Sequence, residues 1–349
     1  MMVVAPPWFE VPPARYGGIE RMCFDLVEGL VDEGHEVTLV ATGSNHTRAQ
    51  FVPALPQPAR GLGRIEQPVE EVRYGAVVAR LARESSVDVI HDHSLAGPLG
   101  GADGRLRVVV TVHGPPGGSI GDYYRHLGLP LVAISEAQRR AAPDLPWVAT
   151  VANSVRVDQY PFREAKEGFV LFLGRFAPEK GVHLAIEAAR AAGVPLVLAG
   201  KCIEPDERAY FEREIRPRLH PGVTWLGEVS EDRKKDLLGA ARCLLFPILW
   251  EEPFGIVMIE ALASGTPVVA FGRGAVPEIV QHGRTGFVCD DVREMAGLIH
   301  SVSQLDTRAC RLEAVRRFDT SAMVRGYERA YRTVVTSRRR GRRSLEPSV

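Results

Sequence analysis

The sequence predicts an α/β protein built from two doubly wound, Rossmann-like domains. Its 349 residues exceed what one hydrophobic core usually organises, so we expect two domains of about 150 residues each. Short β-branched runs alternate with amphipathic runs of helical length, which is typical of parallel sheets with helical crossovers. A polar connector of mixed charge at 154–168 separates two such series. These observations predict two parallel sheets that face each other across a cleft.

The first half of the chain has strand-like runs, each followed by a segment of helical character. We predict strands at VVAPP (3–7), EVTLVAT (36–42), DVIHDH (88–93), RVVVTVHG (107–114), LVAIS (131–135) and VATVAN (148–153). Helices are predicted near 18–33, 70–84 and 135–142.

The second half repeats the pattern. We predict strands at FVLFLGR (169–175), PLVLAG (195–200), VTWLG (223–227), CLLFP (243–247), PVVAF (267–271) and GFVC (286–289). Helices are predicted at 181–192, 231–241, 254–264 and 291–303.

The domain boundary is predicted near residue 160, inside the connector, which gives domains of 1–160 and 161–318. A last helical run, 319–336, has apolar residues at helical spacing. The residues after it, 337–349, include five arginines and almost no apolar side chain, so we predict a disordered tail. We assign the tail no role.

Composition excludes several functional classes. The formal net charge is zero, 25% of the residues are charged and 45% are hydrophobic, so no basic field indicates a nucleic-acid partner. Five cysteines without C-x-x-C spacing favour a reducing compartment over a disulfide framework. Neither a signal peptide nor a run of about 18 apolar residues is present, so we expect a cytoplasmic protein with at most peripheral membrane contact.

One predicted anion site follows the strand at 169–175. Arg175 and Lys180 flank a proline-containing loop just before the helix predicted to begin at Gly181. Exposed N–H groups at a helix N-terminus attract anions, and two cations add to that attraction. The alternative, a pair of solvated surface charges, is equally compatible with this stretch alone.

A second site is indicated by EEPFGIVMIEALASGTPVVAFGRGAVPEIV (251–280). Glu252 precedes a predicted helix that begins near Phe254, and Glu260 lies within it, so the carboxylates are about 10 Å apart at about 1.5 Å per residue. They are too far apart to share a metal ion, but they fit the two ends of an elongated ligand such as a nucleotide sugar. Its phosphates would rest on the N–H groups of Phe254, Gly255 and Ile256. A helix cap and an arginine-paired carboxylate are the structural alternatives.

The first half has its own candidates. Gly17 and Gly18 precede a predicted helix, where they allow close approach of an anion or form a plain tight turn. His113 ends the strand at 107–114 and is predicted to point into the cleft. His91 and His93 share one strand face with a spacing that suits zinc, but no third ligand is indicated nearby, so we predict no metal site.

These segments together resemble family 4 retaining glycosyltransferases, which have the GT-B fold. EPFGIVMIEALASGTPVVA is similar to the Glu-x7-Glu signature of that family, and RYGGIE, DVIHDHS, VHG, AISEAQR, LGRFAPEKG, VLAGK and GRTGF occur in the family's order. The resemblance covers the chain to about residue 335. Asn153-Ser154-Val155 departs from the family's usual Asn-Gly-Val, which places the local turn in question.

The resemblance implies roles for individual residues. Arg175 and Lys180 would neutralise the donor diphosphate, Glu260 would bind the ribose hydroxyls, and Glu252 would contact the transferred sugar. The donor-binding set would include the amides that follow Glu252 and the glycines under the phosphates: Gly17, Gly18, Phe254, Gly255, Ile256 and Val257. His113 would lie beside the reacting sugar, and the N-terminal domain would bind the acceptor.

The expected activity is transfer of a hexose, with retention, from a nucleotide-diphosphate sugar to a hydroxyl acceptor. A UDP-sugar is the expected donor, and the acceptor a sugar, a lipid-linked compound or a natural product. We expect no metal and no cofactor, and a monomer or weak dimer. The alternatives are a GT-B-fold nucleotide-sugar epimerase and a non-catalytic nucleotide-sugar-binding protein. A nicotinamide-dependent oxidoreductase is disfavoured because GRGAVP (272–277) lacks the third glycine of G-x-G-x-x-G.

Overall fold

The computed structural model describes residues 1–14, 17–44, 46–60, 66–101 and 104–343, with side chains through residue 336. These residues form two compact units. The first unit is Met1–Asn153 together with the chain from Thr320 onward, and the second unit is Ser154–Asp319.

The first unit contains a seven-stranded parallel sheet in the order β3-β2-β1-β4-β5-β6-β7. Its strands are β1 (Met2–Val4), β2 (Thr38–Thr42), β3 (Gln50–Leu55), β4 (Ile90–Asp92), β5 (Val108–Val112), β6 (Leu131–Ala133) and β7 (Trp147–Thr150). Its helices are α1 (Gly18–Asp32), α2 (Gln67–Glu84), α3 (Gly118–Leu127), α4 (Glu136–Ala141) and α12 (Thr320–Arg343).

The central strands of this sheet are buried on both faces, as β-branched runs in a parallel sheet require. β4 and β5 are neighbours, with Ile90 opposite Val108 and Asp92 opposite Val110. Parallel strands end at one common edge, and that edge is where open α/β sheets bind ligands. His93 and His113 follow these two strands, so the sheet itself brings them together.

Two elements of the first unit were not predicted. β3 is an edge strand whose apolar run is interrupted by Pro53, and a proline disfavours a strand because it cannot donate a ladder hydrogen bond. α3 begins at the last glycine of a Pro-Pro-Gly-Gly stretch that is typical of a loop, and its buried face is limited to Gly121, Tyr124 and Leu127.

The last helix returns to the first unit. Tyr327 and Val324 of α12 are buried in the same core cluster as Leu26 and Leu30 of α1. Gly29 permits this packing, because a Cβ atom there would lie 2.7 Å from a methyl group of Val324. The helix continues to Arg343, so it includes the first part of the predicted disordered tail, and 344–349 lie outside the described residues.

The second unit contains a six-stranded parallel sheet in the order β10-β9-β8-β11-β12-β13. Its strands are β8 (Val170–Leu173), β9 (Leu196–Ala199), β10 (Val223–Trp225), β11 (Leu244–Phe246), β12 (Val268–Phe271) and β13 (Gly286–Cys289). Its helices are α5 (Val182–Ala192), α6 (Pro205–Tyr210), α7 (Glu231–Ala240), α8 (Ile256–Ala263), α9 (Val276–Ile279), α10 (Val292–Ser301) and α11 (Thr307–Phe318).

The unit boundary lies before the position we predicted. The second unit begins at Ser154 rather than near 160, because Val155 pairs with Asp319 and the Tyr160 hydroxyl donates to Glu260 at 2.8 Å. The connector is therefore part of the second unit.

Among the described residues, no helix combines the length and apolar content needed to cross a bilayer.

Candidate active site

The second unit brings Lys180 and Glu252 into contact. Lys180 ends the 3-10 turn Pro178–Lys180, and Glu252 lies in the loop between β11 and α8. Lys180 Nζ lies 2.6 Å from Glu252 Oε2, and the Trp250 indole N–H donates to the same oxygen at 2.9 Å. Nζ also lies 5.0 Å from the centroid of the Trp250 ring. The sequence singled out both charged residues but not this ion pair, which joins two loops.

Close backbone contacts fix both loops. Gly181 has φ 69°, and a Cβ atom there would lie 2.0 Å from the carbonyl oxygen of Pro247, at the end of β11. Gly274 packs in the same way against Glu252, whose carbonyl accepts a hydrogen bond from the N–H of Ala275 at 2.9 Å. Lys180 and Glu252 are therefore held on loops that have little freedom to move apart.

Two helix N-termini adjoin this pair. α5 begins at Val182 and α8 at Ile256, with glycine at the N-cap position of each, so neither helix has a capping side chain. At α5 the N–H of His183 already donates to the Tyr210 hydroxyl at 3.4 Å. α8 starts two residues later than predicted, since Gly255 has φ 84° and Phe254 is still outside the helix. Free N–H groups and the helix dipole make such ends suitable for anions.

Arg175 is held by two carboxylates. Its guanidinium lies 3.1 Å from Glu179 and 3.6 Å from Glu207. Glu207 is buried and accepts the backbone N–H groups of Ile203 and Glu204 through its other oxygen, at 2.9 and 3.1 Å. Glu207 was not predicted, because a glutamate in a charged segment carries no distinctive signal.

Glu260 lies within α8, as predicted, and is mostly buried. Its Oε1 accepts hydrogen bonds from the Tyr160 hydroxyl at 2.8 Å and from Lys234 Nζ at 2.7 Å. Burial by itself lowers the pKa of Lys234, but Glu260 and Glu231 outweigh that effect and raise the pKa above its ordinary value. Oε2 of Glu260 receives no hydrogen bond from the described part of the chain, so it is the oxygen available to a ligand.

The partners of Glu260 were only partly anticipated. An apolar setting requires a buried carboxylate to have a partner, and an arginine was the structural alternative considered. The partner is Lys234, from the polar run EDRKKD at 231–236, together with Tyr160 from the connector. Nothing in either stretch distinguishes these residues from solvent-exposed ones.

The other predicted residues line a cavity of about 340 Å³ in the first unit. The predicted residues on its walls are Gly17, Gly18 and His113, and further lining residues are Trp8, Glu20, Glu71, His93 and Tyr124. The Trp8 indole N–H donates to Glu71 at 3.0 Å, which fixes an aromatic face and a carboxylate side by side. Aromatic faces with adjacent hydrogen-bonding groups are typical of small-molecule sites.

A histidine cluster forms one wall of this cavity. His93 Nδ1 lies 2.9 Å from His113 Nε2, and the His91 ring centroid lies 4.0 Å from that of His93. His91 uses both ring nitrogens in hydrogen bonds, with Thr111 and Tyr331, each at 2.7 Å. His91 and His93 are thus neighbours, as their strand spacing predicted, but the partners of His91 are hydroxyl groups.

Burial shifts the titration of these groups. It lowers the pKa of His113 to about 3 and lowers the pKa of His93 well below its usual range. Burial also raises the pKa of Glu20 and of Asp92, each to about 7. At neutral pH the histidines are therefore uncharged.

We expect a pH-dependent difference in stability between the wild type and His113→Gln. The native pKa of about 3 lies below the ordinary value of 6.5, so the unfolded state takes up the proton first as the pH falls. The wild type should lose about 2 kcal/mol of unfolding free energy relative to the variant between about pH 7.5 and about pH 5. Glu20 and Asp92 act in the opposite direction, but both chains contain them. Urea unfolding over this range is the measurement, and parallel pH curves would contradict the assignment.

Family profiles and related proteins agree with this architecture. A profile described as Glycosyltransferase Family 4 matches residues 16–158, and one described as Glycosyl transferases group 1 matches 158–314. Phosphatidyl-myo-inositol mannosyltransferase of Mycolicibacterium smegmatis is 29% identical over an alignment that covers 95% of this chain and 93% of that protein.

Two solved structures show the same fold. AviGT4, a glycosyltransferase involved in avilamycin A biosynthesis, is 28% identical with a TM-score of 0.73, over 96% of this chain and 97% of that one. HepE of Anabaena, in complex with UDP-glucose, is 18% identical with a TM-score of 0.72, over 96% and 100% of the two chains.

Two parallel doubly wound sheets and the similarity to the AviGT4 structure show that the chain has the GT-B fold of glycosyltransferases. The two profiles cover consecutive parts of the chain, from residue 16 to residue 314, and both describe glycosyltransferases. The chain belongs to glycosyltransferase family 4. The resemblance found in the sequence is thereby confirmed.

Proposed function

We propose that this glycosyltransferase moves a hexosyl group from a nucleotide-diphosphate sugar, with UDP as the preferred nucleotide, to a hydroxyl acceptor. The observation that carries the proposal is the Lys180 and Glu252 pair beside the N-termini of α5 and α8. A cation and the first-turn N–H groups of α8 suit a diphosphate, and a carboxylate suits sugar hydroxyls. The UDP-glucose bound to HepE supports the choice of nucleotide.

In this proposal the donor lies along the start of α8. Lys180 and Arg175 contact the diphosphate, together with the backbone at Phe254, Gly255, Ile256 and Val257. Glu260 binds the ribose hydroxyls through Oε2, since Tyr160 and Lys234 occupy Oε1. Glu252 contacts the transferred sugar. Gly17, Gly18 and His113 line the first-unit cavity, and the roles that the resemblance implies for them, toward the phosphates and the reacting sugar, stay predictions.

The chemistry proposed for these residues is stabilisation of the leaving group. Breaking the anomeric C–O bond moves negative charge onto the departing nucleotide diphosphate. Lys180, Arg175 and the N–H groups of α8 are positioned in advance to stabilise that charge, so little reorganisation accompanies the reaction. We propose retention at the anomeric carbon: the acceptor oxygen forms the new C–O bond on the face that the leaving group vacates, and its proton passes to the departing diphosphate.

The acceptor is proposed to bind in the first-unit cavity. Its walls combine the aromatic rings of Trp8 and Tyr124 with the carboxylate of Glu71 and the imidazole of His113. Such groups recognise a ring that carries hydroxyls. A sugar, or the sugar-like part of a lipid-linked compound or natural product, has that chemistry. The names of the mannosyltransferase and of AviGT4 are consistent with this range of acceptors.

A turnover assay tests the proposed function. Purified protein is incubated with UDP-, GDP-, ADP- and TDP-hexoses and a panel of hydroxyl acceptors, and both nucleotide release and the anomeric configuration of the product are measured. Acceptor-dependent release of UDP with a retained product supports the proposal. An epimerised donor in the absence of acceptor would indicate an epimerase, and binding without turnover would indicate a non-catalytic nucleotide-sugar-binding protein.

Turnover is expected to persist in EDTA. The proposed stabilisation of the leaving group uses protein cations and helix N–H groups, and it requires no metal ion. The measurement is kcat after dialysis against EDTA, with and without added Mg²⁺. Complete loss of activity that Mg²⁺ restores would contradict this expectation.

Glu260→Gln is expected to raise the donor KM by about 10-fold with a smaller change in kcat, since the ribose it would bind is unchanged in the reaction. Tyr160→Phe removes one hydrogen bond to Glu260 and should raise KM less. Glu231→Gln removes the other carboxylate partner of Lys234 and serves as the matched control. Steady-state kinetics with varied donor measure these effects. A fall in kcat with unchanged KM in Glu260→Gln would reverse the proposed donor orientation.

A further inference from the structure

We propose that His93 is a positioning residue, which donates a hydrogen bond from Nδ1 to Nε2 of His113 and so holds that ring in one orientation and one tautomer. The effect on turnover rests on the proposed function, because it assumes that His113 contacts the reacting groups. The effect on the His113 ring does not depend on that function.

The sheet places the two rings against each other. His93 follows β4 and His113 follows β5, and these strands are adjacent and parallel. The two nitrogens are 2.9 Å apart, within hydrogen-bond distance, and the rings are nearly parallel at 28° with centroids 5.2 Å apart. The contact therefore follows from the register of the sheet rather than from flexible loops.

His93 is itself held firmly. Its backbone N–H donates to the carbonyl of Val4 at 2.9 Å, and its residue surface is only 4% exposed. The ring packs on His91, which Thr111 and Tyr331 bind from both sides. A ring fixed in this way can act as a reference for the less buried His113.

The number of ring protons on His93 and His113 limits the direction of the hydrogen bond between them. Both rings are neutral, so they carry two ring protons, and one of these lies between Nδ1 of His93 and Nε2 of His113. Neither His93 Nε2 nor His113 Nδ1 has a hydrogen-bond partner among the described residues. An unpaired N–H tolerates burial less well than an unpaired acceptor nitrogen.

Both nitrogens are buried, so the choice between them rests on the rings: the less exposed ring would need the larger movement to pair an N–H, and it should carry the bare nitrogen. That ring is His93, so His93 is protonated at Nδ1 and donates, and His113 keeps its own proton at Nδ1. Because Nδ1 of His113 is itself buried, a small movement of that ring would be needed for a ligand oxygen to accept its Nδ1–H. Without His93, the His113 ring would be free to rotate and to adopt the Nε2–H form that neutral imidazoles favour in water.

Three variants separate positioning from packing. The amide of His93→Asn can place a donor at the position of Nδ1, whereas the longer His93→Gln places its amide near the position of Nε2. His93→Phe fills the space without a donor. We expect kcat to fall by about 10-fold to 100-fold in the Gln and Phe variants, a scale typical of misplaced catalytic groups, and by less than about threefold in His93→Asn.

Nitrogen NMR of ¹⁵N-histidine-labelled protein reads the tautomer directly, with the His113 signals assigned from His113→Gln. We expect Nδ1–H at His113 in the wild type and in His93→Asn, and a shift toward Nε2–H in His93→Gln and His93→Phe. An Nε2–H form in the wild type, or an unchanged tautomer in His93→Phe, would overturn the proposal. If His93→Phe does not fold, the comparison of His93→Asn with His93→Gln decides.

The two readouts also separate the proposals. A tautomer shift in a protein that turns over no nucleotide sugar would support the positioning of His113 and reject the proposed function. Turnover that is unaffected by all three variants would overturn the positioning role, even with a tautomer shift. A tautomer shift together with the expected order of kcat values would support both.

Discussion

Lys180→Ala is expected to lower kcat by about 100-fold or more, because it removes a charge proposed to stabilise the leaving diphosphate. It also leaves the carboxylate of Glu252 without its cation. Both side chains are mostly buried, 17% exposed for Lys180 and 10% for Glu252, so stability should fall as well. Steady-state kinetics and urea unfolding of the same preparation measure the two effects.

The double variant Lys180→Ala/Glu252→Gln distinguishes catalysis from simple charge compensation. Removing the uncompensated negative charge should recover most of the lost stability. It should not recover kcat, because the cation beside the diphosphate is still missing. Wild-type turnover in the single variant, or recovery of turnover in the double variant, would remove Lys180 from the proposed leaving-group site.

Gly181→Ala is expected to destabilise the protein by about 3 kcal/mol or more, whereas Gly193→Ala should cost about 1 kcal/mol. The two glycines have nearly the same backbone conformation, φ 69° and ψ 30° against φ 65° and ψ 29°. They differ in surroundings. A Cβ atom at 181 would lie 2.0 Å from the carbonyl oxygen of Pro247, while one at 193 meets nothing within 4 Å.

The pair therefore isolates the close approach from the left-handed conformation. Free energies of unfolding in urea give the comparison. Turnover should also fall in Gly181→Ala, because the loop that carries Lys180 has to move away from β11 to accommodate the methyl group. Equal destabilisation by the two substitutions would mean that the loop adjusts freely, and that its position beside Pro247 is not rigid.

The fold class was predictable because its pattern is local. Buried β-branched strands and amphipathic helices are each visible over a few residues, and their alternation predicts parallel sheets in both halves. Helix α11 was not predicted, because burial in it does not follow hydrophobicity. In α11, Leu312 is 65% exposed while Glu313 is buried and paired with Arg316 and Arg317, so the apolar pattern of that helix is misleading.

The candidate site was predictable only in part, for the same reason. Glu252, Glu260 and Lys180 could be singled out because charged residues beside apolar runs and helix starts are unusual in one dimension. Their partners could not. Lys234 lies 26 positions from Glu260, and Tyr160 lies 100 positions from it. Composition and periodicity are properties of short segments, so they do not indicate contacts between residues that far apart in the chain.

By itself, the sequence determined the two doubly wound sheets, the resemblance to family 4, and the residues that carry unusual chemistry for their neighbourhood. The tertiary structure decided which of those residues meet: Lys180 with Glu252, Glu260 with Lys234, and His93 with His113. Secondary structure follows from interactions between near neighbours in the chain, so short segments of the sequence are enough to predict it. Ion pairs and ring contacts depend on how strands and loops from distant segments align at one sheet edge, and only the folded chain sets that alignment.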